Sequence, residues 1–155
     1  MKLRFFTIAW LCVSAFVPGA AQALEPVGAF GEWRASCEKI GVASRCVIAA
    51  SDEDWAGDKV GLFYHPEQRD LTITVQGRSF IATVRIDRGA VVTGDCLPPL
   101  CDFGRGGLGA ALEQGTVLFV TVSGAGKTEL TFAKNLLDLR QAVAATKEWS
   151  DKTKR

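Results

Sequence analysis

The chain has 155 residues, 48% of them hydrophobic, with 18 basic and 17 acidic side chains and one histidine. A net charge this close to zero gives no general attraction for nucleic acid or for an anionic lipid surface, which argues against both as partners. The length predicts a single domain with a hydrophobic core of limited size.

The first 23 residues have the pattern of a secretory signal peptide. Lys2 and Arg4 precede an uncharged apolar run at residues 5–17, a Pro-Gly step breaks that run, and small residues lead to Ala23. The run is shorter than the roughly 20 apolar residues of a membrane-spanning helix. We therefore expect cleavage after Ala23 and no membrane span in the mature chain, which keeps 16 basic and 17 acidic residues. The expected location is the periplasm, with outer-membrane association or secretion left open.

Along residues 24–146, apolar and polar side chains alternate with a period of two, as in half-buried strands. The segments DLTITVQ and FIATVRID each have one apolar side, and residues 76–79 between them, with Gly77 at the turn, predict a hairpin. TVLFVTVS predicts a central strand, and TELTF alternates again. Further candidates are GEWRASC, RCVIAA and KVGLFYH. About seven or eight short strands with turn signals between them predict an all-β, mainly antiparallel sandwich or barrel-like fold.

Two segments predict helices. The first is short, GLGAALEQG at residues 107–115, and the second begins after Asn135, a suitable N-cap. The apolar stripe of the second helix is expected at Leu136, Leu139, Val143 and Lys147. We expect this helix to pack on the sheet, and we expect the polar tail at residues 147–155 to be frayed.

Four cysteines remain after the leader, namely Cys37, Cys46, Cys96 and Cys101. An even number in an exported domain predicts two disulfides, with three possible connectivities. We favour Cys37–Cys46 and Cys96–Cys101, because the first loop is long enough for a turn between strands and a Pro-Pro step bends the second loop back. A crossed pairing stays open, since it would contribute about 4 kcal/mol against about 2–3 kcal/mol for each short loop.

The segment CLPPLC also has spacing that a zinc clip could use. A zinc site needs further ligands, however, and His65 is the only histidine, while a redox pair needs two intervening residues at the start of a helix. We therefore expect a structural disulfide here, and no metal or cofactor in the chain.

Two other motifs suggest chemistry. SGAGKTE resembles a phosphate-binding loop, but its first glycine is missing and a strand pattern follows, so a turn is predicted. His65 could serve a hydrolase with Asp70 or Glu67 as its partner, although no serine lies in a recognisable nucleophile motif. A solvated histidine in a turn is the favoured interpretation.

Charged and aromatic residues suggest contact surfaces. The acidic segment SDEDWAGD could hold calcium or act on a glycan. It lacks the glycine and the terminal glutamate of an EF-hand calcium loop. We therefore expect a solvated loop with Trp55 as a surface contact. Its acidic residues are Asp52, Glu53, Asp54 and Asp58. For Trp33 we expect structural packing against a disulfide, with a ligand role as the alternative.

Five arginines cluster in sequence around the predicted hairpin: Arg69, Arg78, Arg85, Arg88 and Arg105. Of these, Arg85 and Arg88 are the candidate surface contacts, and they could meet an anionic glycan or a protein partner.

Four segments occur in a characteristic order: FGEWRASC, RCVIAA, GDCLPPLC and GKTELTF. Together they resemble the invasion-associated locus B family of bacterial envelope proteins, over roughly residues 30–139. The resemblance implies a secreted or periplasmic all-β domain linked to the envelope and, in some bacteria, to entry into host cells. It carries no catalytic residue onto this chain.

The favoured hypothesis is a non-catalytic exported envelope protein that acts by surface interaction with an envelope or host protein or glycan. Two alternatives stay open. One is a periplasmic hydrolase that uses His65 with nearby carboxylates, and the other is a structural accessory of an envelope complex. No nucleic acid partner is expected.

Overall fold

The structure is a computed structural model that describes residues 23–77, 79–104, 107–124 and 126–154. Its elements follow in chain order: β1 (Glu25–Phe30), β2 (Trp33–Ile40), β3 (Ala43–Ala50), β4 (Glu53–Trp55), β5 (Asp58–His65), β6 (Asp70–Val75), β7 (Ile81–Ile86), β8 (Val92–Thr93), β9 (Asp95–Leu97), β10 (Leu100–Asp102), α1 (Leu108–Gln114), β11 (Val117–Gly124), β12 (Lys127–Asn135) and α2 (Leu136–Thr153).

The strands form two antiparallel sheets. The first sheet has the order β1-β2-β3-β5-β6-β10-β9, with β4 paired to β5, and the second has the order β12-β11-β7-β8. The inward-facing side chains of both sheets belong to one hydrophobic core, which helices α1 and α2 help to close. The predicted fold class, mainly antiparallel β with a short helix and a C-terminal helix, is confirmed.

Alternation along the strands builds this core. In β6, Leu71, Ile73 and Val75 are fully buried while the threonines between them are half-buried. In β11, the same pattern buries Leu118 and Val120. Strand β11 lies between β7 and β12, as expected of a central strand. Fully burying each such aliphatic side chain stabilises the fold by about 1.5–3 kcal/mol.

The predicted hairpin between DLTITVQ and FIATVRID is wrong. Strand β6 pairs with β5 and β10 in the first sheet, whereas β7 pairs with β11 and β8 in the second. Gly77 does turn the chain, with φ +82°, but the chain passes from one sheet to the other. A hairpin and a connection between two sheets give the same alternation of apolar and polar residues, because in each arrangement both strands turn their apolar side chains to one core. The two arrangements differ only in the distant strands with which β6 and β7 pair.

Both predicted disulfides are confirmed, and each joins directly opposite residues of neighbouring strands. Cys37 lies opposite Cys46 in the β2–β3 pair, and Cys96 lies opposite Cys101 in the β9–β10 pair. Their Cα atoms are 4.1 and 3.9 Å apart. The CLPPLC segment is therefore a disulfide-linked hairpin at the edge of the first sheet.

Helix α2 begins where the sequence predicts. The Asn135 side chain accepts a hydrogen bond from the Leu137 N–H at 2.8 Å, which satisfies one of the free N–H groups of the first turn. The buried residues of this helix are Leu136, Leu139, Ala142 and Thr146. The buried stripe is thus rotated from the predicted one, and Val143 is half-buried while Lys147 is exposed.

The expected fraying of residues 147–155 is wrong for the residues described, because α2 continues to Thr153. Two contacts hold its end on the β2–β3 hairpin. Lys39 Nζ donates to the Thr153 carbonyl at 2.9 Å, and the Ser44 hydroxyl donates to the Ser150 hydroxyl at 2.7 Å. A polar sequence with good helix formers remains helical here because the neighbouring hairpin supplies partners for it.

Candidate binding surface

The outer side of the second sheet is built by register between strands that are distant in sequence. Thr83 of β7 lies opposite Thr121 of β11 and Thr93 of β8, and Thr121 lies opposite Thr131 of β12. One threonine from each of the four strands therefore lies in a single row, and the hydroxyls of Thr121 and Thr131 are 2.9 Å apart in a hydrogen bond. The residues that alternate with this row point into the core.

A second row runs beside the threonines. Arg85 lies opposite Phe119, and its guanidinium carbon is 4.9 Å from the centroid of the Phe119 ring, in a cation–π contact. Ile81 and Val91 add exposed apolar surface, with exposed fractions of 55% and 63%. We call this surface the open face; it comprises Ile81, Thr83, Arg85, Val91, Thr93, Phe119, Thr121 and Thr131, with Arg88 at its rim.

Two shallow depressions meet on the open face, and both include Arg85 and Phe119. The first, of about 250 Å³, lies over the threonine row and reaches Val91. The second, of about 460 Å³, extends towards Arg88 and Asp87. Shallow neighbouring depressions around an aromatic ring and guanidinium groups could hold an elongated ligand.

The charges of the open face are mostly uncompensated. Within the described ranges, neither Arg85 nor Arg88 has a carboxylate ion-pair partner, whereas Arg45 is paired with Glu38 at 2.7 Å. Asp87 lies at the rim, but its carboxylate accepts hydrogen bonds from the backbone N–H groups of Thr116 and Val117, at 3.1 and 2.9 Å. The predicted contacts Arg85 and Arg88 therefore lie on one exposed surface.

The other arginines of the sequence cluster do not join them in the structure. Arg69 is paired with Glu113 of α1 at 2.9 Å, which fixes that helix to the β5–β6 turn. Arg78 and Arg105 lie outside the described residues, as do residues 1–22 of the predicted leader.

The expectation that Trp55 is a surface contact is wrong. Its side chain is 2% exposed, and its indole N–H donates to the Thr128 carbonyl of β12 at 2.7 Å. Lys127 closes the same junction, since its ammonium donates to the Trp55 and Ala56 carbonyls and to the Asp58 carboxylate. The short strand β4 turns the indole inward, which a loop prediction did not foresee.

The acidic segment is solvated only in part, because Asp52 and Asp54 are exposed whereas Glu53 and Asp58 are engaged in contacts between the sheets. Glu53 binds Lys134, Asp58 binds Lys127, and Asp54 accepts the Gly57 N–H at 3.0 Å. The hydrogen bond from Gly57, helped by the charge of Lys59, lowers the pKa of Asp54. No group of three His, Cys, Asp or Glu side chains is placed to hold a metal ion within the described part of the chain.

A buried lysine, which no sequence motif indicated, explains the FGEW segment. The Lys134 side chain is 0% exposed, and its ammonium contacts Glu53 at 2.6 Å, Ser51 at 3.0 Å and Glu32 at 3.1 Å. Trp33, next to Glu32, is buried and donates its indole N–H to the Asn135 carbonyl at 2.7 Å. The segment therefore fixes the β12–α2 junction, which supports a structural role for Trp33.

Gly31 completes this junction. Its φ is +56°, and a Cβ at this position would overlap the Asp138 carboxylate of α2. Both observations favour glycine at this position, because other residues adopt this backbone conformation at a cost and a side chain here would displace the Asp138 carboxylate.

His65 does not have the surroundings that the hydrolase hypothesis requires. It ends β5 opposite Asp70, and in the described ranges no hydrogen bond joins it to a serine or a carboxylate. One oxygen of Asp70, Oδ1, is buried without a hydrogen-bond partner there. Burial raises the pKa of Asp70, the charge of His65 partly offsets this rise, and the nearby Asp102 adds to it. In the remaining motif, SGAGKTE, β11 ends at Gly124 and β12 begins at Lys127, and these two residues are partners in the antiparallel pair, which agrees with the predicted turn.

Comparison with known proteins gives weak similarity. No family model matches the chain, and no curated protein matches it. Among solved structures, invasion associated protein B from Bartonella henselae is similar, with 19% sequence identity, a TM-score of 0.48, and coverage of 78% of this chain and 97% of that one. None of the described helices is both long and apolar enough to cross a membrane. A similarity at this level assigns no family, so the assignment to the invasion-associated locus B family stays a prediction from the sequence motifs.

Proposed function

We propose that this chain is an exported, non-catalytic domain of the cell envelope that acts by binding a partner through the open face. The observation that carries the proposal is the open face itself. It exposes Ile81 and Val91 beside Arg85 and Arg88, two guanidinium groups without carboxylate partners among the described residues. Exposed apolar surface rimmed by charge is typical of an interaction site.

Two disulfides support export, because such bonds persist in oxidising compartments and are rare in the cytosol. The positions of the disulfides also allow the open face to be altered without removing either cross-link. Both bridges lie in the first sheet, whereas the open face belongs to the second, so substitutions on the open face leave both cross-links intact.

A photo-crosslinking amino acid tests the binding surface in intact cells. Placed at the exposed position Thr131 of the open face, it should capture a discrete envelope or host partner. Placed at Arg34, an exposed position of β2 in the first sheet, it should capture none. In the double variant Arg85→Gln/Arg88→Gln, capture from Thr131 should be lost. Capture from Arg34 alone, or equal capture from both positions with both arginines replaced, would overturn the proposal.

The same experiment separates a binding role from that of a structural accessory of an envelope complex. An accessory held by other surfaces would give crosslinks from the first sheet that do not depend on the two arginines. A partner bound at the open face gives crosslinks that do depend on them.

A further inference from the structure

We propose that the open face is a binding site for an acidic oligosaccharide, in which sugar rings carry carboxylate or sulfate groups. The inference rests on the proposed function and names the chemical class of its partner. Three features of the open face carry it, namely its guanidinium groups, its aromatic ring and its row of hydroxyls.

The guanidinium groups supply charge complementarity. A guanidinium offers paired N–H donors that match the two oxygens of a carboxylate or a sulfate. Arg85 and Arg88 both border the larger depression. Among the residues that the structure describes, Asp87 is the one acidic side chain that borders it, and its carboxylate is already bonded to two backbone N–H groups. The depression therefore favours an anion over a cation.

Phe119 fixes the position of one of these groups. With the Arg85 guanidinium stacked 4.9 Å from the ring centroid, the long side chain loses part of its freedom before any ligand binds. Binding an acidic group there then costs less conformational entropy. The ring also borders both depressions and supplies an apolar wall against which the C–H groups of a sugar can pack.

The threonine row supplies neutral hydrogen-bonding groups. Neighbouring strands lie about 4.8 Å apart, so four threonines in one row place a hydroxyl at each such interval across the sheet. Each hydroxyl can both donate and accept, as sugar hydroxyls also do. Thr83, Thr121 and Thr131 border the smaller depression, which Arg85 and Phe119 join to the larger one. An oligosaccharide lying across the strands would meet hydroxyls at one end and guanidinium groups at the other.

The same features disfavour nucleic acid. Two guanidinium groups neutralise few phosphates, and the chain as a whole carries 18 basic against 17 acidic residues. The open face also has a single aromatic ring, whereas single-stranded nucleic acid requires successive stacking platforms.

Titration of the exported chain, with both disulfides intact, tests the proposal. The probes are a heparin hexasaccharide, an oligogalacturonate that carries carboxylates alone, neutral maltohexaose, and a thymidine hexanucleotide. We expect binding of at least one of the two acidic sugars, with amide chemical-shift changes confined to β7, β8, β11 and β12, and weaker binding of the other two probes. Affinity should fall roughly tenfold for Arg85→Gln and again for Arg88→Gln, and it should fall for Thr121→Val.

Arg34→Gln and Arg140→Gln are matched controls, because each removes one exposed guanidinium outside the open face. Their affinities should equal that of the wild type, and the melting temperatures of all variants should agree, which shows that they fold. The proposal is overturned if neither acidic sugar binds, if maltohexaose or the hexanucleotide binds as tightly, or if the control variants weaken binding equally. If crosslinking from Thr131 persists while no sugar binds, the partner is a protein and only the ligand class is wrong; if both fail, the proposed function fails too.

Discussion

At the scale of single residues, the side chains nearest to catalytic-looking motifs have structural roles. Lys127, in the segment that resembles a phosphate loop, holds the β4–β5 turn through Asp58 and two carbonyls. Trp55 is buried beneath β12, and Glu32 of the FGEW segment binds a buried ammonium. These roles explain why residue types alone did not identify a site.

Replacing Lys134 with methionine should destabilise the fold. The substitution keeps much of the apolar stem but leaves Glu32 and Glu53 facing each other without the ammonium. We expect a loss of about 1–3 kcal/mol in the free energy of unfolding, measured in urea, because both carboxylates are partly exposed and recover some hydration.

Lys59→Met is the control for this prediction. Its ion pair with Asp54, at 3.5 Å, has both side chains mostly exposed, so its loss should cost much less than the loss of the Lys134 ammonium. Equal losses in the two variants would show that the buried ammonium contributes no more than a surface charge.

Asp70 should make the stability depend on pH. Because burial raises its pKa above the ordinary value of 3.8, the folded state binds this proton more tightly than the unfolded state. The contribution of Asp70 to stability is therefore full below pH 3.8 and falls as pH rises through the raised pKa of the folded state. It stays low at neutral pH. Asp70→Asn should raise the melting temperature at pH 7, and the gain should shrink as pH falls towards 3.8.

The opposite sign is expected at Asp54, whose pKa is lowered mainly by the hydrogen bond from Gly57. Asp54→Asn should be less stable than the wild type at pH 7, with the difference lost as pH falls below 3.8. Melting curves of both variants between pH 3 and 7 (roughly the range over which these carboxyls titrate) provide the measurement. An Asp70→Asn variant that is less stable at pH 7 would contradict the assignment of burial as the main cause.

Among the elements, most of the longer strands could be predicted. The short strands could not, and neither could β1 (Glu25–Phe30), whose side chains do not alternate between buried and exposed. Period-two alternation and turn signals located β6, β7, β11 and β12, because each has at least six residues. Strands β4, β8, β9 and β10 have two or three residues, too few to show a period. The sheet to which each strand belongs could not be predicted either. The β6–β7 connection looks like a hairpin in sequence, and only the pairing of β6 with β10 and of β7 with β11 shows that the two strands lie in different sheets.

The residues of the open face were likewise predictable only where a local sequence pattern indicated them. Arg85 and Arg88 were identifiable because they are close in sequence and exposed. Phe119 and the threonine row were not, because they meet only through the pairing of β11 with β7 and β12 and of β7 with β8. A surface assembled by non-local register has no local sequence signature.

The two disulfides should differ in what they protect. Cys96–Cys101 joins strands of three residues at the edge of the first sheet, whereas Cys37–Cys46 lies within a β2–β3 ladder of eight residue pairs. On the chain-entropy account, replacing either pair with alanines costs about 2–3 kcal/mol. Hydrogen exchange should show local loss of protection in β9 and β10 for the Cys96→Ala/Cys101→Ala variant, and retained β2–β3 protection for the Cys37→Ala/Cys46→Ala variant. The reverse pattern would mean that the edge hairpin holds without its bridge.

In the whole molecule, the two sheets differ in the contacts that they make. The first sheet carries both disulfides, the FGEW junction and the contacts with α2, and it provides most of the covalent and polar reinforcement. The second sheet is held to it by Lys127 and Lys134 and presents its outer side to the surroundings. Such a division fits a domain that keeps its shape outside the cytosol and binds through one face.

The proposed function depends on export of the chain into an oxidising compartment, where both cross-links form. Thiol trapping with a maleimide in the cells that produce the protein, followed by mass analysis of the intact chain, tests this most directly. We expect a chain that begins at Leu24, takes up no maleimide, and yields peptides that link Cys37 to Cys46 and Cys96 to Cys101. A full-length chain that retains its first 23 residues and reacts with maleimide at these cysteines would contradict it.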